Sequence, residues 1–165
     1  MIIINFKNYK PGFDALKLAR EIQKYIPEAI VAVPTTDIGY IAHHTKLKVF
    51  AQHLNSSEEK KSTGFLHAKS IKVHGGIGSL LNHSEHRISF KEIKKTLKIA
   101  EKYYLRIIVC ASSLNDVKKI TTLNTKPYGI ALENPKLIST GKSITKYQSQ
   151  DIKAFAVMLS KTKII

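Results

Sequence analysis

Short runs of consecutive apolar residues alternate along this chain with longer stretches whose apolar residues recur at helical spacing. Ile2-Ile3-Ile4, Ala29–Val33, Lys48–Ala51, Ile77–Leu81, Arg106–Val109 and Tyr128–Leu132 are the short runs. They lack polar alternation, the mark of strands buried on both faces. Helices are predicted between them. Phe13–Tyr25 puts Leu16, Ala19, Ile22 and Tyr25 on one face, and Ser89–Tyr104 does the same with Ile93, Leu97 and Ala100. Shorter helices are predicted near Asp37–His44, over Phe65–Val73 and over Leu114–Thr121, and a last one over Ser149–Ser160. Asn55–Gly64 is polar and charged and reads as a long loop, while Lys163-Ile164-Ile165 looks like the opening of a seventh strand. Six uninterrupted strand–helix alternations mean a parallel sheet covered by helices. An open doubly wound sheet and a (β/α) barrel both fit that pattern.

Composition adds bounds. The 165 residues, 43% of them hydrophobic, make one domain, 1–165, with a core of its own. One cysteine, Cys110, allows no internal disulfide framework and reads as a small buried residue. The first residues carry no basic leader, and no stretch approaches the ~20 apolar residues of a membrane span. A cytoplasmic protein without membrane association is expected. The net charge of +15, from 27 Lys+Arg against 12 Asp+Glu, favours anionic partners such as a phosphorylated metabolite or nucleic acid. Lysines such as Lys91, Lys94, Lys95 and Lys98 fall at outward-looking helical positions. A solvated basic surface is therefore the simpler expectation, ahead of a nucleic-acid groove.

Three local motifs fail on their spacing. Gly76-Ile77-Gly78 stands at the head of a strand rather than after one, so it is no dinucleotide fingerprint. Gly141-Lys142-Ser143 lacks the earlier glycine of a phosphate loop. His83 and His86 have no partnering cysteine or second histidine pair, so no metal is expected.

What survives is a set of polar residues at successive strand ends. Asn5 and Lys7 follow the first strand, Gln52 and His53 the third, His83, Ser84 and Glu85 the fourth, and Glu133 the sixth. In a parallel α/β barrel these positions share the C-terminal rim, where barrel enzymes build their sites. A carboxylate, an imidazole, an ammonium and an amide together suit proton transfer beside a carbonyl. Behind Glu133, a loop from Pro135 to Gly141 with Leu137 and Ile138 at its tip has the composition of a lid.

Asn5-Phe6-Lys7, Ala51-Gln52-His53, Ser62-Thr63-Gly64, Asn82-His83-Ser84-Glu85, Cys110-Ala111, Ala131-Leu132-Glu133 and the Pro135–Gly141 loop resemble, in this order, the triosephosphate isomerase family, in its shorter archaeal form. The resemblance implies a TIM-barrel fold, here incomplete, with six βα units and the start of strand seven. It also implies an isomerase of glycolysis and gluconeogenesis that needs no cofactor and no metal. Glu133 would be the base, His83 the neutral electrophile and Lys7 the positive charge on the substrate, with Asn5, Ser139 and Gly141 also binding it. Pro135, Leu137, Ile138 and Thr140 would form the lid, Ser84 and Glu85 would support the site, and Thr63 would reach a neighbouring subunit. The opening of a helical turn at His83-Ser84-Glu85 would disfavour imidazolium.

The sequence departs from the family's pattern at Asn134, Ser139 and His86, which stand where proline, glycine and arginine are usual. It is also short, because a closed eight-stranded barrel takes at least ~200 residues. The expectation is a fragment, or a chain completed by a second polypeptide carrying the rest of the phosphate cradle, ahead of six units that close or oligomerise differently with activity weak or lost. A homo-oligomer is expected, and little isomerase activity from the 165 residues alone. A non-catalytic barrel protein that binds nucleic acid or another anion is the alternative.

Overall fold

Six strands form one parallel sheet whose spatial order is the order of the chain, β1 to β6. The computed structural model describes residues 1–134, 137, 140, 141, 143 and 149–165. The strands are β1 (Ile3–Asn5), β2 (Ile30–Val33), β3 (Lys48–Ala51), β4 (Gly78–Leu81), β5 (Arg106–Ala111) and β6 (Gly129–Leu132). The helices are α1 (Phe13–Tyr25), α2 (Ile38–His44, entered through a 3-10 turn at Thr35–Asp37), α3 (Ala68–Val73), α4 (Phe90–Lys102), α5 (Leu114–Thr121) and α6 (Ser149–Ser160).

Sequential order decides between the two architectures. A doubly wound sheet reverses direction at a switch point, whereas a barrel adds each strand beside the last. Here every neighbour is consecutive, so the sheet is a curled part-barrel. Both of its faces are covered. Val31, Val33, Val49 and Ala51 point to the helices and share the main core with Ala15, Ala19, Ile41, Ile71 and Leu97. Ile30, Ala32, Phe50, Leu80 and Ile108 form a second buried cluster on the concave side. Gly78 shows how tightly that side is filled, since a Cβ there would lie 2.5 Å from Phe50 Cζ and 2.2 Å from the Arg106 carbonyl oxygen. Only glycine fits, which explains the residue at the head of β4.

The structure shortens one predicted helix. Phe65, Leu66 and His67 are not helical, because Leu66 exchanges main-chain and side-chain bonds with Asn55: Asn55 N–H donates to Leu66 O (3.0 Å) and Leu66 N–H to Asn55 Oδ1 (2.8 Å). Those bonds hold the segment extended, and α3 begins only at Ala68. At the other end of the chain, Ile165 N–H donates to Tyr128 O (3.1 Å) and Ile165 O accepts from Ile130 N–H (2.9 Å). That is one rung of a parallel ladder on β6, the opening of a seventh strand. Ile164 is buried with the main core.

Candidate active site

The carboxyl ends of β1, β3, β4 and β6 deliver their polar residues to one rim. Asn5 closes β1, and its Oδ1 accepts from Lys7 N–H at 2.9 Å. That bond holds Lys7 in the left-handed region, at φ 47°, a conformation that costs a side chain about 1 kcal/mol. Gln52, at the end of β3, donates through Nε2 to Asn5 Oδ1 (3.2 Å) and Lys7 O (2.9 Å). One amide thus fixes both residues after β1. Lys7 Nζ then reaches Glu85 Oε1 at 2.6 Å. This bond raises the lysine's pKa and lowers the carboxyl's, so both stay charged.

The β4 loop carries the imidazole. His83 Nδ1 accepts from the Glu85 main-chain N–H at 3.2 Å. A ring nitrogen that accepts holds no proton, so this contact assigns the proton to Nε2. Nε2 lies 3.2 Å from Glu133 Oε1. The expected helical turn at His83 is a single turn closed by His86 N–H to His83 O (2.8 Å), and α4 begins only at Phe90. The amide of Glu85, not a helix terminus, therefore sets the tautomer.

Glu133 follows β6 and is anchored by its own N–H to Ala111 O at 2.8 Å. Its Oε2 accepts from Ser84 N–H at 2.9 Å and faces Arg87 Nη2 at 3.5 Å. The same arginine donates through Nη1 to Asn82 O at 2.7 Å. Asn82, buried at φ 59°, donates to Cys110 O (2.9 Å) and accepts from Ile88 N–H (3.0 Å). The loop bearing His83 is thereby tied to β5 at Cys110 and closed on itself at Ile88. Burial, then the Glu133 carboxylate beside it, pushes the Cys110 thiol up and keeps it protonated.

A cleft of about 820 Å³ opens on this rim, walled by Asn5, Lys7, Gln52, His53, His83 and Glu85 among others. Glu133 is not on its wall, because its carboxylate is turned back onto His83 and Ser84. His53 and His86 stack face to face on that wall, ring centroids 3.9 Å apart and planes at 13°. Among the described residues, no group of three or more His, Cys, Asp or Glu could hold a metal ion.

The family model described as triosephosphate isomerase matches residues 1–164. The chain belongs to the triosephosphate isomerase family. Proteins named triosephosphate isomerase from Sulfolobus acidocaldarius and Metallosphaera sedula are each 34% identical to it, over 99% and 92% of this chain and 73% and 68% of their own lengths. The one from Methanosarcina acetivorans is 30% identical over 99% of this chain and 78% of itself. The crystal structure of triosephosphate isomerase from Bartonella henselae superimposes with a TM-score of 0.61 at 21% identity, covering 72% of this chain and 54% of that one. That likeness supports the barrel fold. The chain thus spans roughly three quarters of its curated relatives and about half of that structure.

Of the residues expected at a triosephosphate isomerase site, the structure gathers Asn5, Lys7, His83, Ser84, Glu85 and Glu133. Leu137, Thr140 and Gly141 are described just beyond. Leu137 N–H bonds Asn134 O (2.9 Å), Thr140 N–H bonds Leu137 O (3.3 Å), and Gly141 sits at φ 72°. Pro135, Ile138 and Ser139 lie outside the described residues, as does most of the lid. Thr63 is exposed at the tip of the β3 loop. Two further residues hold the site: Gln52, which fixes Asn5 and Lys7, and Arg87, which bridges Asn82 and Glu133. Gln52 is visible in the sequence as a strand-end residue. Arg87 is not, because nothing in its spacing tells it from His86.

Proposed function

We propose that this rim performs the isomerisation of its family, interconverting glyceraldehyde 3-phosphate and dihydroxyacetone phosphate. Glu133 takes the proton from the carbon beside the carbonyl, and the electron pair moves onto the carbonyl oxygen. His83 gives its Nε2 proton to that developing enediolate oxygen and takes back the proton of the neighbouring hydroxyl, while Glu133 returns its own proton to the neighbouring carbon. Lys7 exchanges Glu85 for the substrate's phosphate and oxygen. Glu133 must first leave the Ser84 N–H and swing into the cleft, a movement that closure of the Pro135–Gly141 loop would accompany and that shuts water away from a reactive intermediate. Lid residues Leu137 and Ile138 cover the substrate, and Ser139 and Gly141 bind its phosphate. The barrel would be completed at the outer margins of β1 and β6, by a second copy or by further polypeptide, and Thr63 would contact a neighbouring subunit.

The observation that carries this reading is the pairing of Glu133 with a His83 ring whose Nδ1 is already occupied by a main-chain N–H. The test is deuterium incorporation from heavy water at the reacting carbon. Glu133→Asp draws the carboxylate back by about 1 Å and is expected to lower kcat by roughly 10²-fold, with KM little changed. Undiminished exchange in that variant would remove Glu133 as the base.

A further inference from the structure

At the end of the barrel opposite this rim, the chain breaks a local rule. Helix α4 closes with Leu105 N–H on Ala100 O and Tyr104 N–H on Glu101 O, each at 3.0 Å. The residue inside such a cap adopts the left-handed region, and glycine is preferred there. Here it is Tyr104, at φ 54°. The strain wins no packing, because Tyr104 is 86% exposed. A strained, exposed aromatic is where a local conflict points to function.

Tyr104 borders a cavity of about 280 Å³ at the N-terminal ends of β5 and β6, whose wall also carries Arg106, Lys126 and Tyr128. The Arg106 guanidinium carbon lies 5.1 Å from the Tyr128 ring centroid. Two aromatic rings, a guanidinium and an ammonium therefore meet in one recess, with Glu101 as the acid on its wall.

Helix α4, whose C-terminal cap Tyr104 completes, carries a basic face of its own, away from the side that walls the recess. Lys91, Lys94, Lys95 and Lys98 are all exposed. At 3.6 residues per turn they fall within an arc of about 100°, opposite the buried Ile93, Thr96, Leu97 and Ala100, and run along about 10 Å of helix. Among the described residues none of the four has a carboxylate in ion-pair range, whereas Lys102 is held by Glu58 at 2.6 Å.

We propose that this face binds single-stranded nucleic acid, with phosphates along Lys91–Lys98 and a base stacked on Tyr104 at the recess. A single strand offers a free base face and a duplex does not. A lipid surface fits less well, because the apolar side of α4 is buried in the core and nothing apolar on the lysine stripe is free to insert.

The test is fluorescence anisotropy with a labelled 15-nucleotide oligouridylate and the 165-residue chain. Binding at 50 mM KCl is expected, with log K falling against log salt at a slope near −3, about 0.7 for each of four phosphates. Tyr104→Gly deletes the ring and installs the residue the cap prefers. The melting temperature should hold or rise while affinity falls about tenfold. Lys94→Gln with Lys98→Gln should weaken binding and flatten the slope by about 1.4. The proposal is overturned by absence of binding at 50 mM KCl, or by wild-type affinity in Tyr104→Gly. It is overturned equally if a duplex binds as tightly as the single strand, or if phosphatidylserine vesicles bind more tightly with the same dependence on Tyr104. None of these outcomes depends on the isomerase reading, because no residue altered lies on the rim.

Discussion

His53 is held at the end of β3 with one ring face against His86 and its Nδ1 buried without a partner. Burial, and then the charge His86 would carry, lowers its pKa from 6.5 to about 4, against a weaker opposing pull from Glu92 at the start of α4. Lys7, His83 and Glu85 share the same cleft wall. The folded chain therefore keeps His53 neutral where the unfolded chain protonates it. This contribution to stability is constant above pH 6.5 and is lost progressively as pH falls toward 4. The urea midpoint should drop over that window in the wild type. His53→Phe, which keeps a ring and removes the titration, should flatten the drop, and an unchanged profile would rule out His53 as its source. The same scale shows what a sequence yields and what it withholds. Glu133 and His83 can be placed from the sequence because each ends an apolar run, and a strand end has one exit. Their hydrogen bonds cannot, because the Glu85 amide that occupies His83 Nδ1 depends on a turn that no residue type announces.

Among the elements, β4 is tightly constrained, flanked by β3 and β5 and headed by a glycine pressed against Phe50. Gly78→Ala would force both the Phe50 ring and the β5 backbone to move. It is expected to cost about 1–3 kcal/mol and, because β4 ends at the His83 loop, to lower activity as well. Chemical denaturation gives the first effect and a steady-state assay the second; a variant as stable as the wild type would show that the interior is looser than these distances imply. Helix α4 is legible in the residues themselves, since Ser89 and Glu92 stand at capping-box spacing and both reciprocal bonds form. Helix α3 is legible only in part. Phe65 and Leu66 continue an apolar pattern, but the tertiary bonds from Asn55 override it. Fully apolar strands and regular alternation establish the class of fold. The choice of barrel winding needs the strand order, which periodicity does not carry.

For the molecule as a whole, the described sheet leaves β1 and β6 unjoined, while Glu133, His83 and Lys7 already stand on one rim. Binding energy on the phosphate is what a triose enzyme spends on the reacting carbons, so a site that holds the phosphate on one side only would lose kcat as well as affinity. The isolated 165-residue chain is expected to turn over triose phosphate at least about a hundredfold more slowly than a complete eight-stranded relative, in a coupled assay on the purified protein. Comparable rates would mean that six strands suffice.

The single rung between Ile165 and β6 has a practical bearing on any experiment with this protein. It pins position 165 opposite Gly129 in parallel register. Residues joined directly after Ile165 would start out aimed along Ile130–Leu132 toward Glu133. An affinity tag placed there would be no passive appendage: a β-prone tag would extend alongside β6 to Glu133, and a glycine-rich one would peel away. Rates measured with the two should differ, and a tag at Met1 is the safer choice.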